Sequence, residues 1–309
     1  KKLFVFLCLL MFSGGVFAGI EYDLEDFLAP SSGGSLGFVS LEDRQFLKVG
    51  LAPDFNIKKA IIGLNINLYV PTDGDFDDMP DDIQWVNLRK IAYNHNENHG
   101  FEWGRLRRKT FGHGLIMDNY DSGSGGSSEF SQEKTGFYGY TTFMNVSIKT
   151  MYTYLNTQAL RLEVPVPKIS LLGAPVLLGA TYVSDTDGVD DSYSGAVRAS
   201  QTAYSVDLSA PVGGDFLTVY SEYGQLEDYG SGMSLGFRGD LNGVVDYKAE
   251  YRSLGKEFAP GYFNNSYEAT SFDFATDSLQ DELTGYLVAA STSLFGGQIL
   301  AGTQYESYD

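Results

Sequence analysis

The chain is poor in cysteine, histidine, proline and basic residues. Its 309 residues include 1 Cys, 3 His and 9 Pro, and 21 Lys+Arg stand against 40 Asp+Glu, a formal charge of −19. A single cysteine excludes a disulfide scaffold and a cysteine-based zinc site. A strongly acidic chain also lacks the basic footprint that binds nucleic acid. We therefore expect no cofactor and no nucleic-acid partner.

Long hydrophobic runs are missing as well. The first apolar run, residues 3–12, is far shorter than the roughly 20 residues that a membrane-spanning helix needs. The strongest later candidate for a helical span, the uncharged residues 169–183, is also too short and contains Gly173 and Pro175, which interrupt a helix. We predict a turn followed by a strand in that run.

Residues 1–18 have the layout of a secretory signal peptide. Lys1 and Lys2 form a positive start, the apolar run follows, and the segment ends at Ala18. Because the only cysteine, Cys8, lies in this segment, its removal leaves a cysteine-free chain with a formal charge of −21. Residues 19–35 are acidic and then rich in Gly and Ser, so we predict a leader there and one β-domain over residues 36–309.

In the predicted β-domain the apolar residues recur with a period of two, which indicates strands. Residues 244–252 show this most clearly, because apolar and charged side chains alternate at every position from 245 onward. The polar faces of such segments carry Asp207, Glu222, Arg238, Asp246, Lys248, Glu250 and Arg252, and the apolar faces carry Val245, Tyr247, Tyr251, Leu235 and Phe237.

Short and long connections alternate between these segments. Residues 211–215, 239–243 and 295–298 have the Gly, Asn and Asp content of tight hairpin turns. Residues 184–199 and 257–281 are long polar loops, and residues 225–232 form a shorter one. This order is typical of a membrane barrel, in which one side carries short turns and the other side carries long loops.

Two kinds of architecture fit the alternation. A soluble β-sandwich or solenoid would bury the apolar faces, whereas a membrane-spanning barrel would turn them to lipid and the charges to a wet interior. About fifteen candidate strands, residues 115–120 among them, and the alternating connections favour the barrel. We predict an all-β, antiparallel, up-and-down transmembrane β-barrel of about 14–16 strands. The polar-face residues named above are then candidates for the pore lining, and the apolar-face residues are candidates for lipid contact.

In these features the chain resembles Gram-negative outer-membrane β-barrel proteins. The stretch GRLRRKTFGHGLIMDNY, residues 104–120, is similar to a recurring stretch in uncharacterised bacterial outer-membrane proteins and implies no activity. Barrels of this class usually end on a strand with a terminal aromatic residue, whereas this chain ends at Asp309. Either the barrel is incomplete at its C-terminus or its closing strand is unusual. The resemblance implies an outer-membrane location with membrane lipid as a partner.

Candidate catalytic and metal-binding residues are few. His113, five residues before Asp118, could serve as a general base, but no serine lies in the context of a nucleophile elbow. We therefore expect no enzymatic activity. Asp185, Asp187 and Asp190 lie in an acidic loop, but its glycine comes too early for an EF-hand and no bidentate Glu follows. We expect a solvated loop and no metal site.

The expected function is a passive pore for small solutes, since barrels of about sixteen strands leave an aqueous channel. The excess of acidic residues predicts a modest cation preference, because a negative mouth concentrates cations. The alternative is a non-conducting structural or adhesion protein of the cell surface, whose long acidic loops bind a partner outside. The sequence identifies neither the solute nor the oligomeric state.

Overall fold

The computed structural model describes residues 33–41, 44–74, 85–96, 98–123, 135–191, 196–241, 243–268, 271–273, 277–294 and 299–308. The predicted signal peptide lies outside these residues, so it stays a prediction. The last three residues of the predicted leader, Gly33 to Ser35, belong to the first strand.

The described residues form twenty-one strands. They are β1 Gly33–Leu41, β2 Arg44–Ala52, β3 Asp54–Ile57, β4 Ala60–Pro71, β5 Val86–Asn96, β6 His99–Gly104, β7 Lys109–Phe111, β8 Met117–Tyr120, β9 Gly136–Phe143, β10 Val146–Thr153, β11 Thr157–Leu171, β12 Ala174–Asp185, β13 Val189–Asp191, β14 Ala196–Arg198, β15 Gln201–Ala210, β16 Val212–Asp215, β17 Thr218–Leu226, β18 Ser231–Leu241, β19 Val245–Leu254, β20 Leu283–Leu294 and β21 Ile299–Tyr308. No helix in the described ranges is long and apolar enough to cross a membrane.

One large sheet contains sixteen of these strands. Fifteen follow one another in the order β1-β2-β4-β5-β6-β9-β10-β11-β12-β15-β17-β18-β19-β20-β21, and β3 pairs with β4 beyond Pro53. Every pairing in this sheet is antiparallel between neighbours in the order of the chain. The predicted antiparallel up-and-down β-barrel fold is confirmed. Among the described pairings none joins β1 to β21, so the sheet is not closed there.

The two ends of the sheet differ in their connections. At one end lie the short turns, including Met144–Asn145 and Leu172–Gly173. At the other end the strands are joined by the long connections from β6 to β9, from β12 to β15 and from β19 to β20. In the apolar run 169–183, β11 extends to Leu171 and the turn occupies Leu172 and Gly173, so Pro175 lies in the following strand.

The outer face of the sheet is apolar and the inner face is polar. In β15, Val206 and Leu208 on the outer face are 53% and 50% exposed, while Ser205 and Asp207 on the inner face are both 3% exposed. A soluble β-sandwich would bury the apolar side chains instead. The arrangement therefore contradicts the sandwich alternative and is the one found in membrane barrels.

Two long connections fold against the inner face of the sheet. The first inserted segment, residues 105–123, contains the small hairpin of β7 and β8. The second inserted segment, residues 255–268, packs beside it, and Met117 forms a β-bridge with Phe263. The sheet curls around both, because the first segment contacts strands as far apart as β9 and β19.

Residues 115–120 were predicted as a candidate strand of the sheet, and this interpretation is wrong. Their strand, β8, pairs with β7 in the first inserted segment, and among the described pairings none joins it to the large sheet. Arg108 and Asn119 have positive φ angles of 52° and 54°, and Gly112 and Gly114 have positive φ angles of 69° and 92°. These four positions fold the segment back on itself. Alternation identifies a strand but not its pairing partner.

The inserted segments share an apolar cluster with the inner face near the long-loop end. Ala159, Ala203 and Val183 supply small side chains from the sheet. These leave room for larger side chains from the segments, namely Leu106, Phe111, Leu115, Ile116, Met117, Tyr120, Phe258, Tyr262, Phe263 and Tyr267. The interior of the sheet is therefore packed along much of its circumference.

Candidate functional site

A buried ionic network lies on the inner face behind the first inserted segment. Arg161 of β11 binds Asp207 of β15 with both ends of its guanidinium, at Nη1–Oδ2 2.5 Å and Nη2–Oδ1 3.0 Å. Arg161 Nη2 also donates to Glu163 Oε2 at 2.7 Å. Such bidentate pairs are the stronger kind of ion pair. Asp207, a predicted pore-lining residue, is thus fully engaged.

Glu222 of β17 holds the backbone of the first inserted segment. Its Oε2 accepts the backbone N–H groups of His113 and Leu115, both at 3.1 Å, and its Oε1 accepts the Ser205 hydroxyl at 2.8 Å. The close approach requires glycine at position 112, where φ is +69° and a Cβ would lie 2.3 Å from Glu222 Oε1. Glu222 therefore anchors the inserted segment and is buried beneath it.

His113 completes this anchor. Its Nε2 lies 3.2 Å from Asp207 Oδ1, its ring stacks on Tyr220 with centroids 3.9 Å apart, and its carbonyl accepts from Lys248 Nζ at 2.7 Å. Burial lowers the pKa of His113, although the hydrogen bond to Asp207 opposes the shift. The imidazole is therefore neutral at pH 7.

The pair suggested by the spacing of His113 and Asp118 does not form. Asp118 Oδ1 accepts the Thr110 hydroxyl at 2.9 Å, while His113 points to Asp207 and is 3% exposed. A general base must reach a substrate proton. In the described arrangement this histidine positions the inserted segment, and the expectation of no enzymatic activity stays a prediction.

The second inserted segment is anchored by Tyr267 and Glu268. Glu268 Oε1 accepts hydrogen bonds from the Tyr120 hydroxyl of the first inserted segment and from Thr157 Oγ1 of β11, the latter at 3.2 Å. Tyr267 donates its hydroxyl to Asp185 Oδ2 at 2.6 Å. Burial raises the pKa of the Glu268 carboxyl to about 7. Its other oxygen, Oε2, is buried without a hydrogen-bond partner among the described residues.

The acidic loop after β12 is stabilised by hydrogen bonds between its side chains and its own backbone. Asp185 Oδ1 accepts the backbone N–H groups of Gly188 at 3.0 Å and Asp187 at 3.3 Å, and Asp187 Oδ2 accepts from Asn156 at 2.7 Å. Asp190 lies in β13. Within the ranges that the structure describes, no group of three His, Cys, Asp or Glu side chains could hold a metal ion.

A large cavity separates the inserted segments from the remaining part of the sheet. Its volume is about 1450 Å³, and its lining comes from both inserted segments, from β18, β19, β20 and β21, and from Thr218 at the start of β17. Along β19 it extends from Asp246, beside the short-turn end, to Arg252, two residues before the strand ends. At the second inserted segment it reaches the exposed Asn265. This cavity is the candidate functional site.

Four of the predicted pore-lining residues line this cavity. They are Arg238, Asp246, Lys248 and Arg252. The other three, Asp207, Glu222 and Glu250, lie on the inner face but are buried in ionic contacts. Glu250 pairs with Lys248 at 3.1 Å and with Arg252 at 2.7 Å.

The predicted lipid-facing residues lie on the outer face. Leu235, Phe237 and Tyr251 are exposed. Tyr247 is half-buried because its hydroxyl donates to the carbonyl of Phe216. Val245 is also half-buried and is the first residue of β19, next to the short turn. Its depth is therefore near a membrane interface and not at the middle of the strand.

Several residues of the site were missing from the sequence analysis. Arg161, Glu163 and Glu268 were not singled out, and His113 was considered only with Asp118. The partners are far apart in the chain, since Arg161 and Asp207 are separated by 46 positions and His113 and Glu222 by 109. The only available indication was the charged inner face of residues 158–165, where Arg161 and Glu163 alternate with apolar residues.

Comparisons with known proteins return structures only. No protein-family model matches the chain, and no curated protein matches it. A mutant of the Rhodopseudomonas blastica porin matches with 12% identity and a TM-score of 0.37, over 89% of this chain and 92% of that one. OpdQ of Pseudomonas aeruginosa matches with 11% identity and a TM-score of 0.40, over 89% and 86%. OprB of Pseudomonas putida matches with 10% identity and a TM-score of 0.38, over 90% and 91%. Sequence identities and TM-scores this low do not indicate a function for the chain.

Proposed function

We propose that the chain forms an outer-membrane pore through which small solutes diffuse. The observation that carries the proposal is the polar cavity of about 1450 Å³ between the inserted segments and the strands β18 to β21. It lies inside a sheet whose outer face is apolar, and only a membrane gives such a face a favourable environment. The solute path is then displaced from the barrel axis, because the inserted segments occupy the opposite side.

The outer face supports the membrane location. Exposed apolar side chains cover strands on both sides of the sheet, from Leu88 and Ile91 of β5 to Val288 of β20. A soluble monomer rarely exposes contiguous apolar patches larger than a few hundred Å². Lipid on this face satisfies the hydrophobic surface without any further protein partner.

The proposed pore has a modest preference for cations. The described lining carries five acidic residues, Asp118, Asp121, Asp240, Asp246 and Glu306, against four basic residues, Arg108, Arg238, Lys248 and Arg252. The excess is one negative charge in the lining, and the whole chain carries a formal charge of −19. Salt screens such fields over about 10 Å at 0.1 M, so the preference weakens as the salt concentration rises.

The reversal potential across a KCl gradient in planar bilayers tests this proposal. A conducting pore with a small cation preference at 0.1 M KCl, which declines toward 1 M, is the expected result. A clear anion preference at low salt contradicts the charge argument. Absence of any conductance contradicts the pore itself.

The second candidate is a non-conducting structural or adhesion protein of the outer membrane. The observation in its favour is that two long connections pack inside the sheet, where they reduce the open cross-section. The same bilayer experiment separates the two candidates, because the second predicts an inserted protein without current. Insertion is verified by resistance of the protein to external protease in lipid vesicles.

A further inference from the structure

Two successive cross-strand pairs of like charge face the cavity on β18 and β19. Arg238 is opposite Lys248, and Asp240 is opposite Asp246, one pair being two residues along the strands from the other. All four residues line the cavity. Like charges directly opposite each other destabilise a sheet. Two such pairs in succession therefore indicate a role other than stabilising the sheet, such as the binding of a ligand.

One member of each pair is already engaged. Lys248 binds Glu250 at 3.1 Å and the carbonyl of His113 at 2.7 Å. Asp240 accepts the backbone N–H of Gly243 in the short turn. Among the described residues, neither Arg238 nor Asp246 has a hydrogen-bond or ion-pair partner. One cation and one anion therefore remain available to a solute.

The spacing of the two available charges defines the size of the solute. Arg238 and Asp246 are diagonal neighbours on adjacent strands, since Lys248 is opposite Arg238 and Asp246 is two residues before Lys248. Diagonal neighbours on adjacent strands have Cα atoms about 7–8 Å apart, and both of these side chains line the same cavity. Two residues of extended peptide span at most about 7 Å, so the two charged termini of a dipeptide have a similar separation.

An uncharged polar group lies beside the acidic member of the pair. Ser291 of β20 is opposite Asp246 and lines the cavity. Its hydroxyl both donates and accepts hydrogen bonds, which suits a peptide group bound next to Asp246. Gln304 of β21 also lines the cavity, but it is three strands from Arg238 and its amide donates to Glu306 Oε1.

We propose that the pore binds zwitterions of dipeptide size, with the solute carboxylate at Arg238 and the solute ammonium group at Asp246. This inference rests on the proposed pore function and assigns a solute class to it. Arg presents a planar fork that matches a carboxylate, and Asp accepts hydrogen bonds from an ammonium group. A solute with only one charge would satisfy only one of the two side chains.

The test measures block of the KCl current by four probes of similar size in planar bilayers. Diglycine is a zwitterion, N-acetylglycine an anion, glycylglycinamide a cation and N-acetylglycinamide is uncharged at pH 7. We expect diglycine to block half of the current at a concentration on the order of tenfold lower than any other probe, because it alone forms both charged contacts. Equal block by all four probes, or strongest block by a singly charged probe, overturns the inference.

Variants assign the block to the two residues. Arg238→Gln and Asp246→Asn should each raise the half-blocking concentration of diglycine on the order of tenfold, with unchanged block by N-acetylglycinamide. Lys58→Gln and Glu257→Gln change the charge equally at exposed positions outside the cavity and should leave the block unchanged. The double variant Arg238→Asp with Asp246→Arg should return the half-blocking concentration of diglycine to that of the unchanged protein, since the solute can bind in the reverse orientation. Current without selective block refutes this inference alone, whereas no current refutes the pore on which it rests.

Discussion

The two sides of the sheet differ in what their inner faces contact. On the filled side, β9 to β17, inner residues such as Met151, Ala159 and Ala203 are buried against the inserted segments. On the open side, β18 to β21, inner residues such as Arg238, Ala289 and Gln304 line the cavity. The outer faces show no such difference, because both sides expose large apolar side chains.

This difference shows that charge on the inner face has two separate roles. On the filled side the charges are neutralised by each other and hold backbone groups, as Arg161, Asp207 and Glu222 do. On the open side a charge such as Arg238 faces a cavity large enough for water and solutes. Where the inserted segments cover the sheet, a charge stabilises the fold. Where the cavity reaches the sheet, a charge such as Arg238 can act on a solute, although Glu250 of β19 is itself buried in ion pairs with Lys248 and Arg252.

The largest expected effect on stability follows from removing Arg161, which neutralises the buried carboxylate of Asp207 on the filled side. Arg161→Met leaves Asp207 as an uncompensated buried charge, which costs about 3–5 kcal/mol of unfolding free energy. The matched variant Arg238→Met, on the open side, removes no ion pair and should cost less than about 1 kcal/mol. Urea unfolding in lipid vesicles measures both. Similar losses for the two variants would contradict the distinction between the sides.

The outer faces should respond alike on both sides. Leu162→Arg in β11 and Leu235→Arg in β18 place a charge among lipid-exposed residues near the middle of a strand, at a cost of about 2–4 kcal/mol each. Val245→Arg, at the start of β19, should cost about 0–1 kcal/mol because the interface is close. The same unfolding assay applies, and tolerance of arginine at both mid-strand positions would argue against a membrane location.

A smaller, pH-dependent effect is expected at Glu268 on the filled side. Since its folded pKa of about 7 is raised above the usual value of 4.5, the unfolded state ionises first and stability falls as pH rises from 4.5 to 7. Glu268→Gln keeps the acceptor for Tyr120 and removes this loss, so it should stabilise by about 3 kcal/mol at pH 8 and little at pH 4.

Urea midpoints between pH 4 and pH 8.5 measure this effect. Glu257→Gln is the matched control, because Glu257 is an exposed acid of the same inserted segment. The control should follow the pH profile of the unchanged protein. A Glu268→Gln variant with that same profile would show that the carboxyl does not titrate in the folded state as described.

Sequence patterns predicted the strands of the large sheet better than the inserted segments that pack against its inner face. The strict alternation of β15, β18 and β19 identified these strands and their outward faces, because one side chain in two meets lipid. By contrast, β1 was not recognised, since its sequence GGSLGFVSL is rich in Gly and Ser. Residues 115–120, which contain β8, were taken for a strand of the large sheet, because a strand inside the sheet shows the same period of two as a strand of the sheet itself.

The site itself depends on contacts that local patterns do not contain. Alternation placed Asp207 and Arg238 on the same kind of inner face, yet one is buried in an ion pair and the other lines the cavity. The difference arises from the path of the first inserted segment, which brings His113 against Asp207. That path depends on the close approach at Gly112 and on pairings more than 90 positions apart in the chain.

The most direct test of the central claim is aqueous access to the two sides of the inner face. The only natural cysteine is Cys8, so after Cys8→Ser a single cysteine can be introduced at Ala289, which lines the cavity, or at Ala203, which is fully buried on the filled side. A membrane-impermeant cationic thiol reagent is applied while KCl current is recorded. The account predicts that the Ala289→Cys pore is modified and its current falls, while the Ala203→Cys pore is unaffected. Modification of Ala203→Cys with protection of Ala289→Cys, or equal modification of both, would contradict it.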